Sequence, residues 1–154
     1  MNYEQRIALN PALIIGLGGT GKKVLMKFKE AFLTSPQIKK AFAQVNQPPV
    51  LPDFIELLCI DTDLFDTHEQ ETIEGSKLRE EEYHQISIQN ANQITGNLDT
   101  DTYSYLQEWF PVKLKHYIGQ ISQGAHQFRF TGRFGLFVEI QRIYQLLKSK
   151  ISKI

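Results

Sequence analysis

The chain has 154 residues, of which 42% are hydrophobic and 22% charged, with 17 basic and 17 acidic side chains. That length predicts one domain able to bury roughly two-thirds of its unfolded surface, and the balanced charge argues against nucleic acid or a membrane as partner. No apolar run reaches the ~20 residues of a membrane helix, Met1-Asn2-Tyr3-Glu4-Gln5-Arg6 lacks the pattern of a secretion signal, and the one cysteine, Cys59, reads as a buried packing residue of a reducing compartment, so a cytoplasmic location is expected.

Asn10-Pro11 punctuates the entry to a first strand, since proline has no N–H for a ladder and tolerates a strand start. The apolar run Leu13-Ile14-Ile15 then breaks into Gly16-Leu17-Gly18-Gly19-Thr20-Gly21-Lys22-Lys23, after which Val24, Leu25, Phe28 and Phe32 recur at helical spacing while Lys22, Lys23, Lys27 and Glu30 can stay in water. This is strand, glycine turn, helix. A helix N-terminus leaves backbone N–H groups unpaired at the positive end of the dipole, an environment suited to phosphate.

The turn fits G-x-G-x-x-G, the dinucleotide fingerprint, which calls for an acidic residue about 20 residues further on. The next strand instead ends in Asp61, about twice as far away. It nearly fits G-x-x-x-x-G-K-[ST], but Lys23 stands where a hydroxyl should hold magnesium, which disfavours a P-loop NTPase. A tight turn with no ligand is the third reading.

The first helix is expected to stop near Thr34-Ser35-Pro36, with a short helical piece from Ile38 to Val45 and a stiff connector over 46–53. Phe54 to Ile60 is almost continuously apolar, the pattern of a strand covered on both faces of a parallel sheet. Asp61-Thr62-Asp63 closes it, and the carboxyl ends of such strands are where ligands bind. Two acids beside a phosphate need a bridging Mg²⁺ or water; otherwise an aspartate there caps the following turn. Nine acids lie between Asp61 and Glu82, and eight Lys or Arg against only Glu139 in 112–154; both read as solvated faces.

From Leu64 to Leu98 only Tyr83-His84-Gln85-Ile86-Ser87-Ile88 alternates like a half-exposed strand, so this stretch reads as an excursion outside the core. Tyr103, Leu106, Trp109 and Phe110 form an apolar cluster before Pro111, and the four histidines lack metal-ligand spacing. Gly124-Ala125 begins a second glycine element that runs through Arg129 to Gly132-Arg133, ahead of a helix with Leu136, Ile140, Ile143, Leu147 and Ile151 on one face. Arg129 and Arg133 are donors of the kind that grip phosphate bidentately.

Taken together, Ile14-Ile15-Gly16-Leu17-Gly18-Gly19-Thr20-Gly21, Ile60-Asp61-Thr62-Asp63, Trp109-Phe110-Pro111, and Gly124-Ala125 with Arg129 and Gly132-Arg133 resemble the N-terminal part of the large bacterial tubulin-like proteins. More distantly they resemble the phosphate-side loops of FtsZ and tubulin. The resemblance spans nearly the whole chain. It implies a Rossmann-like three-layer α/β/α fold with a mostly parallel, incomplete sheet, residues 1–154 forming an N-terminal nucleotide-binding half-domain. By the same resemblance GTP or GDP is the ligand, with Gly16, Gly18, Gly19, Thr20, Gly21, Gly124, Ala125, Arg129, Gly132 and Arg133 at its phosphates. Asp61, Thr62 and Asp63 would lie near Mg²⁺ and the phosphates.

Two departures limit the transfer. Phe130 stands where FtsZ has a glutamate, and the third glycine loop of the family is absent before Ile154. The chain therefore reads as a fragment or a naturally short relative. It is not expected to be an enzyme alone, becoming a GTPase if completed by a downstream region. Its expected partners are the nucleotide and either further copies of itself, as in a filament, or the downstream domains of a larger protein. The alternatives are a dinucleotide-binding Rossmann oxidoreductase domain and a non-catalytic interaction module that retains the fold.

Overall fold

The computed structural model describes residues 10–65, 73–88, 90–98, 104–110, 113, 118 and 129–154. Three strands, β1 (Ala12–Leu17), β2 (Ile55–Asp61) and β3 (Tyr83–Gln85), form a parallel sheet in the order β1-β2-β3. The helices are α1 (Gly18–Thr34), α2 (Pro36–Ala43), α3 (Ala91–Gly96), α4 (Ser104–Gln107), α5 (Arg129–Val138) and α6 (Ile140–Ile151). The fold is α/β and Rossmann-like, as expected.

Because side chains alternate across a strand, β2 sorts its residues onto two faces. Ile55, Leu57 and Cys59 pack with Leu25, Met26, Phe28 and Phe32 of α1, whereas Leu58 and Ile60 pack with residues of α3 to α6. Both faces are thus covered, which is why the strand reads as a continuous apolar run. Full burial of a side chain such as Leu57 or Leu58 is worth about 1.5–3 kcal/mol. The β1–β2 register pairs Ile14 with Leu57, Ile15 with Leu58 and Leu17 with Ile60. Asp61 pairs with Gln85 and shares the α1 side of the sheet with Leu57 and Cys59.

α1 stops at Thr34 and α2 starts at Pro36, where proline at a helix start costs no hydrogen bond. Val24, expected on the apolar face of α1, is 61% exposed, whereas Lys29, one turn beyond Leu25 on that face, is 5% exposed.

The described residues from 73 to 98 are not an excursion outside the core. Leu78, Ile86, Ile88, Ala91, Ile94 and Leu98 are all buried, Leu78 on the α1 side and the others on the opposite face. The chain places single apolar residues between polar ones; those on the face opposite α1 are buried as β3 joins the sheet edge and α3 folds over that face, and Leu78 is buried in the cluster under α1. Tyr103 and Pro111 lie outside the described residues, but Leu106 and Phe110 are core residues.

The C-terminal helix is two helices, broken at Glu139 (φ −94, ψ 12). Its core side also differs from expectation: Ile143 is buried and Leu136 and Leu147 are partly so, whereas Ile140 and Ile151 are exposed. Two polar contacts set this orientation. Glu139 meets His84 of β3 (Oε2 to Nε2, 3.0 Å), and the buried Lys150 donates to Glu56 of β2 at 2.7 Å. α6 therefore runs diagonally from the C-terminal end of β3 to the N-terminal end of β2, leaving Ile15 and Leu17 of β1 exposed.

Candidate functional site

The turn between β1 and α1 is built from glycines that do different work. A Cβ on Gly16 would lie 2.7 Å from the Gly21 carbonyl carbon and 2.9 Å from Leu25 Cδ1; one on Gly21 would lie 2.5 Å from the Gly16 carbonyl carbon. These two glycines pack backbone on backbone and close the turn. Gly18 has φ +67, a left-handed conformation that glycine adopts without steric cost.

Gly19 is different. It has no positive φ, and the nearest atom to a Cβ placed there is Asp61 Oδ2 at 4.0 Å, an ordinary contact. The fold itself does not require glycine at this position. Gly19 and Thr20 are exposed in the first turn of α1, the N-cap residue Leu17 offers no side-chain acceptor, and the turn has no acidic residue. Its leading N–H groups are thus left without a side-chain cap beside the positive end of a 17-residue helix, the arrangement that accepts anions.

Asp61 faces this turn from the end of β2 and is 8% exposed. Its Oδ1 accepts the Thr62 N–H at 2.7 Å and the Asp63 N–H at 3.4 Å, so the aspartate does cap the turn that follows. Oδ2 makes no hydrogen bond among the described residues and points toward Gly19. Thr62 is buried, and Asp63 is exposed with its carbonyl accepting the Tyr83 hydroxyl at 2.9 Å. Gly16, Gly18, Gly19, Thr20, Gly21 and Asp61 thus lie at the same end of the sheet.

The second glycine element is arranged otherwise. Gly124 and Ala125 lie outside the described residues. Arg129 opens α5, so Gly132 and Arg133 are helical residues and not part of a turn. The Arg133 guanidinium stacks 4.2 Å from the Trp109 ring centroid and 5.5 Å from that of Phe137. The side chain is exposed and pairs with no carboxylate among the described residues. It is a cation held by π faces, whose charge remains available to an anion.

Sequence reasoning missed the polar network on the other end of α1. Lys29 Nζ donates to Glu82 Oε2 at 2.9 Å and to the Lys77 carbonyl at 2.6 Å; Arg79 donates through its backbone N–H (2.8 Å) and guanidinium (3.0 and 3.2 Å) to the same Glu82 carboxylate. Burial pushes the Glu82 carboxyl up, but these donors and the charges of Lys29 and Arg79 outweigh it and hold it below the usual carboxylate range. The signal in the sequence was Lys29 itself, on the stripe of Leu25, Phe28 and Phe32.

A cleft of about 540 Å³ borders this network, lined by Pro52, Asp53, Glu74, Arg79, Glu82 and Lys153 among others. It lies at the N-terminal end of β2, away from the glycine turn, and its central charges already satisfy one another. Among the described residues no three His, Cys, Asp or Glu are grouped to hold a metal, and no helix is long and apolar enough to cross a membrane.

No curated protein and no solved structure matches the chain. A family model described as tubulin-like matches residues 13–154, from β1 to the last residue of α6 and beyond, and takes in the glycine turn, Asp61 and Arg133. The chain belongs to the tubulin-like family.

Proposed function

We propose that this chain is the phosphate-side, N-terminal part of a GTP-binding domain in a bacterial, cytoplasmic tubulin-like protein, whose complete form hydrolyses GTP and assembles with copies of itself. The observation that carries the reading is Gly19, a glycine that no neighbouring atom demands, in the first turn of a helix whose N-terminus has no side-chain cap. Such a glycine keeps space for a ligand to approach the backbone. The family match extends that reading from an anion to a nucleotide.

In this reading the N–H groups of Gly18 to Gly21 bind phosphate oxygens, and Arg133 leaves the Trp109 face to reach the nucleotide. An exposed cation–π contact is worth about 0.5–1 kcal/mol, less than the about 1.5–3 kcal/mol of a hydrogen bond to a charged group, so the exchange is favourable. Asp61, whose Oδ2 makes no hydrogen bond among the described residues, would hold a divalent cation, which would supply positive charge to offset that of the phosphates. Phosphoryl transfer requires positioning and charge stabilisation all round the γ-phosphate, which the proposal assigns to the complete protein.

Thermal melting of the 154-residue chain tests the reading. Mg²⁺ with GTP or GDP is expected to raise the melting temperature, NAD to leave it unchanged, and no phosphate to be released from GTP. Arg133→Ala should weaken GTP by about 1.5–3 kcal/mol, with lysine rescuing only partly because it lacks the planar fork. Protection by NAD alone would favour a dinucleotide domain, and protection by neither would favour an interaction module.

A further inference from the structure

Tyr83, the first residue of β3, is the point where three pieces of chain near the glycine turn meet. Its pairing with Cys59 sets it level with a residue two places before Asp61 in β2, and its side chain packs on the α1 side of the sheet with Leu25, Leu57 and Cys59. From there the hydroxyl donates to the Asp63 carbonyl at 2.9 Å, and the ring packs on Phe65 with 5.1 Å between centroids. The same ring receives Lys22, which follows Gly21 in α1 and whose Nζ lies 5.9 Å from the centroid. Tyr83 therefore bridges α1 and the turn after β2.

That turn has little packing of its own to hold it, since Asp63 is exposed and Leu64 is 72% exposed. The Asp61 Oδ1 cap fixes its start, whereas the Tyr83 hydroxyl and ring hold Asp63 and Phe65 further along. From this we infer that Tyr83 is a positioning residue of the nucleotide site: it keeps the turn that begins at Asp61 against the first turn of α1, and touches no ligand itself. The inference rests on the nucleotide reading above and adds to it a residue from a third strand. A turn that moves away leaves the site incomplete, and apparent affinity falls with the fraction of molecules in which the site is assembled. A phenol suits the role, because its hydroxyl reaches a carbonyl while its ring takes a second ring and a cation.

The test is Tyr83→Phe in the 154-residue chain, which deletes the hydroxyl and leaves the ring to meet Phe65 and Lys22. Parent and variant are compared by GTP titration in Mg²⁺ and by amide hydrogen exchange. Loss of one hydrogen bond between neutral groups is expected to weaken GTP about 5-fold, and to speed exchange at 62–65 while α1 and β2 exchange as in the parent. Tyr83→Leu, which removes the ring contacts as well, should lose more affinity than Tyr83→Phe; where circular dichroism shows it unfolded, Phe65→Leu removes the ring partner alone and should weaken GTP in the same direction. Parental GTP affinity in a folded Tyr83→Phe chain would overturn the positioning role, even with faster exchange at 62–65, and leave the nucleotide reading standing. Weaker GTP binding with parental exchange at 62–65 would overturn it too, because the hydroxyl would not be acting through the turn. No GTP binding by the parent would overturn both readings.

Discussion

Glu82→Gln is expected to destabilise the fold by about 3–5 kcal/mol, the range for removing one partner of a buried ion pair. Lys29 is 5% exposed and Glu82 1%, so the neutral side chain would leave the Lys29 ammonium buried without its counter-charge, facing only neutral acceptors: the Lys77 carbonyl and an amide oxygen. Arg79 would lose its main partner as well, although its exposed guanidinium still reaches Glu81 at 3.1 Å. Urea unfolding of the variant measures the loss, and a change below about 1 kcal/mol, typical of a surface pair, would show that the network is solvated.

The same network predicts an acid response. The Glu82 carboxyl is held below its ordinary value of 4.5, so its contribution is fully present above that value and is lost as the pH falls through the lower folded value. Unfolding curves should therefore show stability declining below about pH 4.5 in the parent and a shallower decline in Glu82→Gln.

Gly21→Ala is expected to cost about 3 kcal/mol or more, at or beyond the upper end of what overpacking costs. The added methyl would sit 2.5 Å from the carbonyl carbon and 2.7 Å from the Cα of Gly16, and both are backbone atoms of β1. Relief requires moving α1 away from the sheet, which would expose Leu25 and open the contact with Leu57 and Cys59. Gly18→Ala, strained only by its φ of +67, should cost about 1–2 kcal/mol. If Gly21→Ala unfolds at the parental urea midpoint, the Gly16–Gly21 contact is not what closes the turn.

What could be read from the sequence was whatever has a local period or a local breaker. β1, the glycine turn, α1 and β2 were legible because apolar runs, glycines and Pro36 mark them within a few residues of chain. The burial of Ile86, Ile88, Ile94 and Leu98 was not, because each stands among polar neighbours and is buried by pairing and packing with distant elements. α5 began earlier than the glycines of 124–133 implied, since tertiary packing of Phe134 against Phe110 overrides the low helix propensity of Gly132 and Gly135.

The site divides in the same way. Gly16 to Gly21 and Asp61 were legible as a set because strand ends in a parallel sheet converge at one edge. The stacking of Arg133 on Trp109 and the Lys29–Glu82 pair, separated by 53 positions in the chain, depend on contacts that no local pattern encodes.

The most direct test of the glycine turn as a nucleotide site is a GTP titration of Gly19→Val, followed alongside circular dichroism. The nearest atom to the new Cβ is Asp61 Oδ2 at 4.0 Å, so the fold should remain within about 1 kcal/mol of the parent, the scale of a valine's helix propensity. The side chain would nevertheless occupy the space in which a phosphate must approach the backbone. The account predicts a folded protein that no longer binds GTP in Mg²⁺; a folded Gly19→Val chain with parental affinity would contradict it.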